Sequence, residues 1–291
     1  MKKNRRLFSS DGSLCQQIQS CLRAVCLVAS ALCLGLLFSK NSCKCQAAEF
    51  ADLKITFVYD ATEPPVRRRL TPLGDPSCLP ESMMPLSETL IVDVETMGIQ
   101  NVAMYLDPKN SDWVARELHD KLRKPPDKPS LMDVHDCVFE PHILIARVGQ
   151  KMKLNNSDIY GHNPHFVFFA NGPESRMHPP GRSVEFEFAH AEKAPSPVRC
   201  NIHPWMQAYV LVFDHPYTAI SDRQGVLKIE KLPAGKTIHF KVWHESMEKS
   251  IEQVTLQGKP TVWQKGNLQL TLKPGANDLG IVKISPSQFK K

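Results

Sequence analysis

The chain is predicted to be all-β, on three observations. Apolar and polar residues alternate in many short runs, as on a half-buried strand. Turn formers separate these runs, with 23 Pro and 14 Gly spread along 291 residues. A helical 3.6-residue pattern is visible only over Ser111–Lys124, with Trp113, Val114, Leu118 and Leu122 on one side.

Leu53–Asp60 (LKITFVYD) alternates as a strand and stops at Pro64-Pro65. Leu90–Val94 and Val102–Leu106 read as two further strands. The polar, proline-rich run Lys124–Pro129 is a linker or long loop. Short strands then crowd together over Leu131–Phe139, His142–Val148, Lys151–Asn155, His165–Ala170, Ser183–Phe188, Val198–Asn201 and Ala208–Asp214. Such spacing predicts a sandwich or barrel. After His215 come a turn at Asp222–Gly225, strands at Val226–Ile229 and Thr237–Trp243, and a closing pair at Asn267–Leu272 and Leu279–Ile284. Four segments result: 1–48, 49–128, 129–214 and 215–291.

The first segment is predicted to be a signal peptide. Lys2, Lys3, Arg5 and Arg6 precede an uncharged run from Ala24 to Phe38, and small residues follow at Ala47 and Ala48. Fifteen apolar residues at ~1.5 Å rise fall short of a ~30 Å hydrocarbon core, which favours cleavage over an anchor. No later stretch could span a membrane, so the expected product is exported, periplasmic or extracellular. The segment holds seven of the 36 Lys and Arg and one of the 30 Asp and Glu, so the remainder carries 29 of each. The net charge of +6 therefore belongs to the segment, and nucleic-acid binding is excluded as an expectation. Six of nine cysteines leave with it; Cys78, Cys137 and Cys200 stay. In an oxidising compartment Cys78 and Cys137 can pair, leaving Cys200 as a thiol.

Cys200-Asn201-Ile202-His203-Pro204-Trp205-Met206 puts a thiol, an imidazole and a thioether in one loop between two predicted strands. A thiolate, two imidazoles and a weak Met sulfur form the donor set of blue-copper electron-transfer sites. His162, at the mouth of an earlier strand, can supply the second imidazole. Carried by these residues, Leu131–Asp214 resembles a cupredoxin domain of the amicyanin and plastocyanin-like kind, with the short Cys-x2-His-x2-Met loop. Pro141–Asn155 and the run Gly161–Phe166 are similar to its second and third strands and first-ligand segment. The resemblance implies a Greek-key β-sandwich and one type 1 copper ion held by His162, Cys200 and His203, with Met206 axial. It implies that Asn163 bonds near the cysteine loop and stiffens it, and that His203 reaches the surface as the electron exit beside Pro204 and Trp205. Ile202 stands where the family often has proline. Ala219–Gly225 with Leu232-Pro233 and Gly235 is similar to carboxypeptidase-regulatory-like β modules. The N-terminal strands could complete that same sandwich, with the copper domain inserted between them.

The resulting expectation is a non-enzymatic carrier of single electrons between redox partner proteins. The alternative is a secreted copper storage, delivery or structural protein on the same fold. An oxidase would need His-x-His pairs, which are absent, and no hydrolase or kinase motif is present. His165 is expected to be structural, His142, His178 and His190 to lie on the surface or an edge, and His244 to sit in an exposed turn.

Overall fold

The computed structural model describes residues 50–71, 84–107, 113, 116–247 and 250–290. The predicted signal segment, Cys78 and part of the expected helix lie outside them. Within the remainder of that helix, Asp120–Leu122 forms a 3-10 turn, and Leu118 is buried.

The described residues form strands joined by turns and 3-10 turns. First come β1 (Phe50–Tyr59) and β2 (Ala103–Leu106). The middle of the chain supplies β3 (Ser130–His135), β4 (Val138–Glu140), β5 (Ile143–Arg147), β6 (Lys151–Asn156), β7 (Pro164–Phe166), β8 (Glu174–Ser175), β9 (Ser183–Glu187), β10 (Ser196–Cys200) and β11 (Gln207–Phe213). Then follow β12 (Thr218–Ile220), β13 (Val226–Pro233), β14 (Thr237–Trp243), β15 (Gln253–Leu256), β16 (Lys259–Val262), β17 (Asn267–Thr271) and β18 (Gly275–Ile284).

The middle strands make two sheets, β4-β3-β6-β9 and β5-β11-β10-β7-β8. β3 pairs parallel with β6 and β5 parallel with β11, the other pairings are antiparallel, and the two sheets face one another as a β-sandwich. Its core alternates inward from both sheets, with Met132, Val134, Phe139, Leu154, Phe166, Val198, Ala208 and Val210 buried together.

The outer strands make a second pair of sheets, β13-β1-β18-β15-β16 and β12-β2-β14-β17. Residues 49–128 therefore supply β1 and β2 to a sandwich whose other strands come from 215–291. β1 lies between antiparallel β13 and parallel β18, with Leu53, Ile55 and Phe57 facing the core. Gly225, at φ +78°, closes the turn before β13 against β1; a Cβ there would lie 2.1 Å from the Phe57 carbonyl oxygen. The middle sandwich is thus an insertion, and Ala103, Tyr105, Ile143, Leu211 and Phe213 pack into a third apolar cluster where the two sandwiches meet. The Lys124–Pro129 loop between them is held: Arg147 donates to the Leu122 and Lys124 carbonyls (2.8 and 3.1 Å) and Gln150 to that of Lys128 (2.8 Å).

Several sequence expectations need correction. Leu90–Val94 makes a single bridge, Val92 with Ile99, because the Asp93 carboxylate accepts from the Glu95 and Thr96 N–H groups and turns the chain. Leu131–Phe139 is two strands, broken at Asp136-Cys137, both at positive φ (48° and 55°) without a glycine to signal it. β8, β12, β15 and β16 carried too little pattern to be read.

The histidines differ most. His142 is buried where the sandwiches meet, paired with Glu245 and 3.4 Å from Glu88. His178 is fully buried, and His244, read as an exposed turn, is 1% exposed. His244 donates from Nε2 to the Gln100 carbonyl and accepts at Nδ1 from the Ser246 hydroxyl, so it is held neutral. Burial pushes it down to about 4. Burial also opposes charge on His142, but hydrogen bonds and charge from Glu245 and Glu88 outweigh it and raise its pKa to about 9.

These shifts set the stability profile. The His142 contribution, roughly 3 kcal/mol, is complete below about pH 6.5 and lost as pH rises through about 9. His244 acts oppositely: its neutral form contributes in full above about pH 6.5, and stability falls as pH drops from there toward about 4. Urea unfolding midpoints measured from pH 4 to 10 should therefore fall at both ends. Glu245→Gln should flatten the alkaline fall while lowering stability at pH 7.

Candidate metal centre

Three strand ends of the inserted sandwich converge on one point. β10 ends at Cys200, and the loop to β11 is closed by the Met206 N–H bond to the His203 carbonyl (3.0 Å). The antiparallel pairing of β7 with β10 sets Pro164 opposite Cys200 and brings the segment before β7 alongside. His162 in that segment pairs through its backbone with His178.

The convergence is close. His162 Nδ1 lies 3.0 Å from His203 Nδ1, which lies 3.7 Å from the Cys200 sulfur. His162, Cys200 and His203 are all buried. Donors at ordinary metal–nitrogen and metal–sulfur lengths, near 2.0 and 2.3 Å, sit about 3.3 to 3.8 Å apart around one ion. The donor set therefore fits a single soft or borderline metal ion such as copper. Met206 is buried in the same core cluster, next to the loop.

The surroundings bias these groups toward ligation. Burial alone would push the Cys200 thiol up, but His162 and the N–H groups of Asn163, His203 and Ile202 outweigh it and hold the pKa below the usual thiol value. The Asn163 N–H bond to the sulfur spans 3.4 Å. His162 donates from Nε2 to Asp158 Oδ2 at 2.9 Å, which leaves Nδ1 as the lone-pair atom facing His203. Burial would lower the His162 pKa; Asp158 and the Cys200 thiolate outweigh it and raise it.

Asn163 knits the loops around the centre. Its side-chain oxygen accepts from Ser175 and Asn201, at 2.8 and 3.2 Å, and its carbonyl accepts the Asn201 N–H at 2.9 Å. Its amide reaches the sulfur of Met177, which is 56% exposed. His165 is half-buried, between the buried Pro164 and Phe166 of β7, and takes no part in the cluster.

One expectation fails outright. His203 does not reach the surface: it is 1% exposed, and the Trp205 ring lies against it at 5.1 Å between centroids. The short loop tucks the imidazole under the indole, and Asn201 and Pro204 are its exposed residues. Asp158 was missed, because nothing in the pattern Asp-Ile-Tyr-Gly-His announces a carboxylate folding back on a ring. Cys200 is the free cysteine among the described residues; Cys137 is disulfide-bonded, and Cys78, its expected partner, lies outside them.

No family model matches the chain, and no curated protein matches it. Among solved structures, a reduced tryptophan-to-tyrosine mutant of amicyanin is 24% identical, covering 34% of this chain and 88% of its own at a TM-score of 0.27. A reduced Cu(I) form of a proline-to-glycine amicyanin mutant is 24% identical, covering 38% and 97% at 0.27. A purple cupredoxin from Nitrosopumilus maritimus is 20% identical, covering 30% and 99% at 0.25.

The electrostatics give a direct check on the metal-free protein. Thiolate absorbance near 240 nm should titrate below the ordinary cysteine range, about 8.5. His162→Ala should move that titration upward, because the largest group opposing the cost of burying the thiolate is gone.

Proposed function

We propose that the chain is an exported type 1 copper protein that carries single electrons between redox partner proteins and is not an enzyme. The observation that carries the reading is the convergence of one free thiol and two imidazole Nδ1 atoms in a buried pocket. Copper, when bound there, supplies a one-electron couple. Cys200 offers a soft anionic donor, His162 and His203 offer neutral nitrogens, and Met206, buried in the same cluster, would be the weak fourth donor.

The rest of the chain keeps that set from rearranging. Asp158 fixes the ring of His162, and Asn163 ties the two ligand-bearing loops. Trp205 and the surrounding core exclude water from His203. A donor set held in one arrangement needs little reorganisation when charge on the ion changes. Pro204, Trp205 and the exposed Met177 offer a partner an apolar approach beside the centre. The balanced charge outside residues 1–48 fits a protein partner better than nucleic acid.

The burial of His203 favours a second reading, copper storage or delivery without electron shuttling, since no ligand imidazole meets the solvent. Loading the chain with cupric ion separates the two. A carrier should show an intense visible band, a narrow copper hyperfine splitting and a reversible one-electron wave, all lost in Cys200→Ala. Tight copper binding with a slow, irreversible wave would move the assignment to storage. Retention of the band in Cys200→Ala would sink both.

A further inference from the structure

The tip of the β3–β4 hairpin lies behind the centre. Asp136 and Cys137 both take positive φ there, between the paired residues His135 and Val138. Cys137 is fully buried and disulfide-bonded, so the tip is tethered. Its sulfur lies close to Asp158 and His162, all three ligand-type atoms within 4.8 Å of one another. With the sulfur committed to a disulfide, that trio is no second metal site. It reveals instead how near the hairpin tip comes to the first.

The main chain of Cys137 makes the important contacts. Its N–H donates to Asp158 Oδ2 at 3.1 Å, the same oxygen that accepts from His162 Nε2 at 2.9 Å. Its carbonyl accepts from Trp205 Nε1 at 3.2 Å, and the Trp205 ring covers His203. One residue therefore holds the support of each histidine, the carboxylate through its N–H and the indole through its C=O. The Asp158 side chain is only 9% exposed, so water offers these groups little alternative partnership.

We propose that Cys137 is the common anchor that positions both histidines of the centre, His162 through Asp158 and His203 through Trp205. The assignment rests on the copper reading for its consequence, but the geometry can be tested with or without metal. Loss of Asp158 frees the His162 ring to rotate and to move its proton between nitrogens. Loss of the indole N–H frees Trp205 from the hairpin and uncovers His203. Loss of the tether at Cys137 disturbs both.

The test is the ring-proton NMR spectrum of His162 and His203, in the cuprous and metal-free full-length protein, with copper(I) transfer to a chelator as second readout. Asp158→Asn should shift His162 signals and Trp205→Phe those of His203, while Cys137→Ala, which keeps the N–H and C=O but cuts the tether that holds them in place, should shift both. Asp158→Asn should also speed copper(I) transfer about 10-fold or more, the usual cost of losing a residue that orients a metal ligand. If Cys137→Ala does not fold, the other two variants decide alone. Ring signals unmoved in Asp158→Asn and Trp205→Phe, or unmoved in a folded Cys137→Ala protein, with lower thermal stability only, would overturn the anchor. A wild-type protein without the visible band would defeat the copper reading, yet the metal-free spectra would still decide the anchor.

Discussion

Two imidazole nitrogens 3.0 Å apart, beside a thiol and shut off from water, are the constraint on which the inserted sandwich depends. Two ring nitrogens this close in a low-dielectric pocket need a proton or a cation between them. Nothing in the packing of a β-sandwich needs such an arrangement. The surrounding bonds work against relaxation: Asp158 fixes one ring, Trp205 covers the other, and His162 with backbone N–H groups favours the thiolate form of the sulfur. The pocket is organised for a positive charge at the convergence point.

That organisation reaches back into the whole chain through β11. The strand begins one residue after Met206, and its parallel partner β5 runs beside the outer sandwich. Gln207, the first residue of β11, donates to Glu245 of the outer sandwich at 3.1 Å, and Glu245 also holds His142. The exit of the ligand loop is thus bound to the same buried charge cluster that joins the sandwiches. An unpaired charge there would be costly, so the junction resists sliding and holds the loop end in place. The outer sandwich, closed by pairing of β1 with β18, acts as a frame for the inserted one.

How much was legible depended on the kind of signal. Strands such as β1, β6 and β14 carried regular alternation, and their limits agree with the sequence to within a few residues. The hairpin at Asp136-Cys137 was invisible because neither of its positive-φ residues is a glycine, and the Asp158 side chain that accepts the Cys137 N–H is 21 residues away. Histidine environments were misread for a similar reason. A histidine suits water as well as a buried polar partner, and Glu245 lies 103 residues from His142 and Gln100 lies 144 from His244 in the chain.

By itself the sequence determined the β class, the position of the ligand loop and the identity of the metal-type donors. Strand alternation and the Cys-x2-His-x2-Met spacing are local, and a local pattern survives in one dimension. Only the tertiary structure decided that the inserted sandwich sits within a sandwich built from both ends of the chain. It also decided that His203 lies under Trp205, and that Asp158 and Cys137 stand behind the ligands. Each of these depends on which distant segments meet, and that is settled by how the whole apolar surface and its buried charges can be satisfied at once.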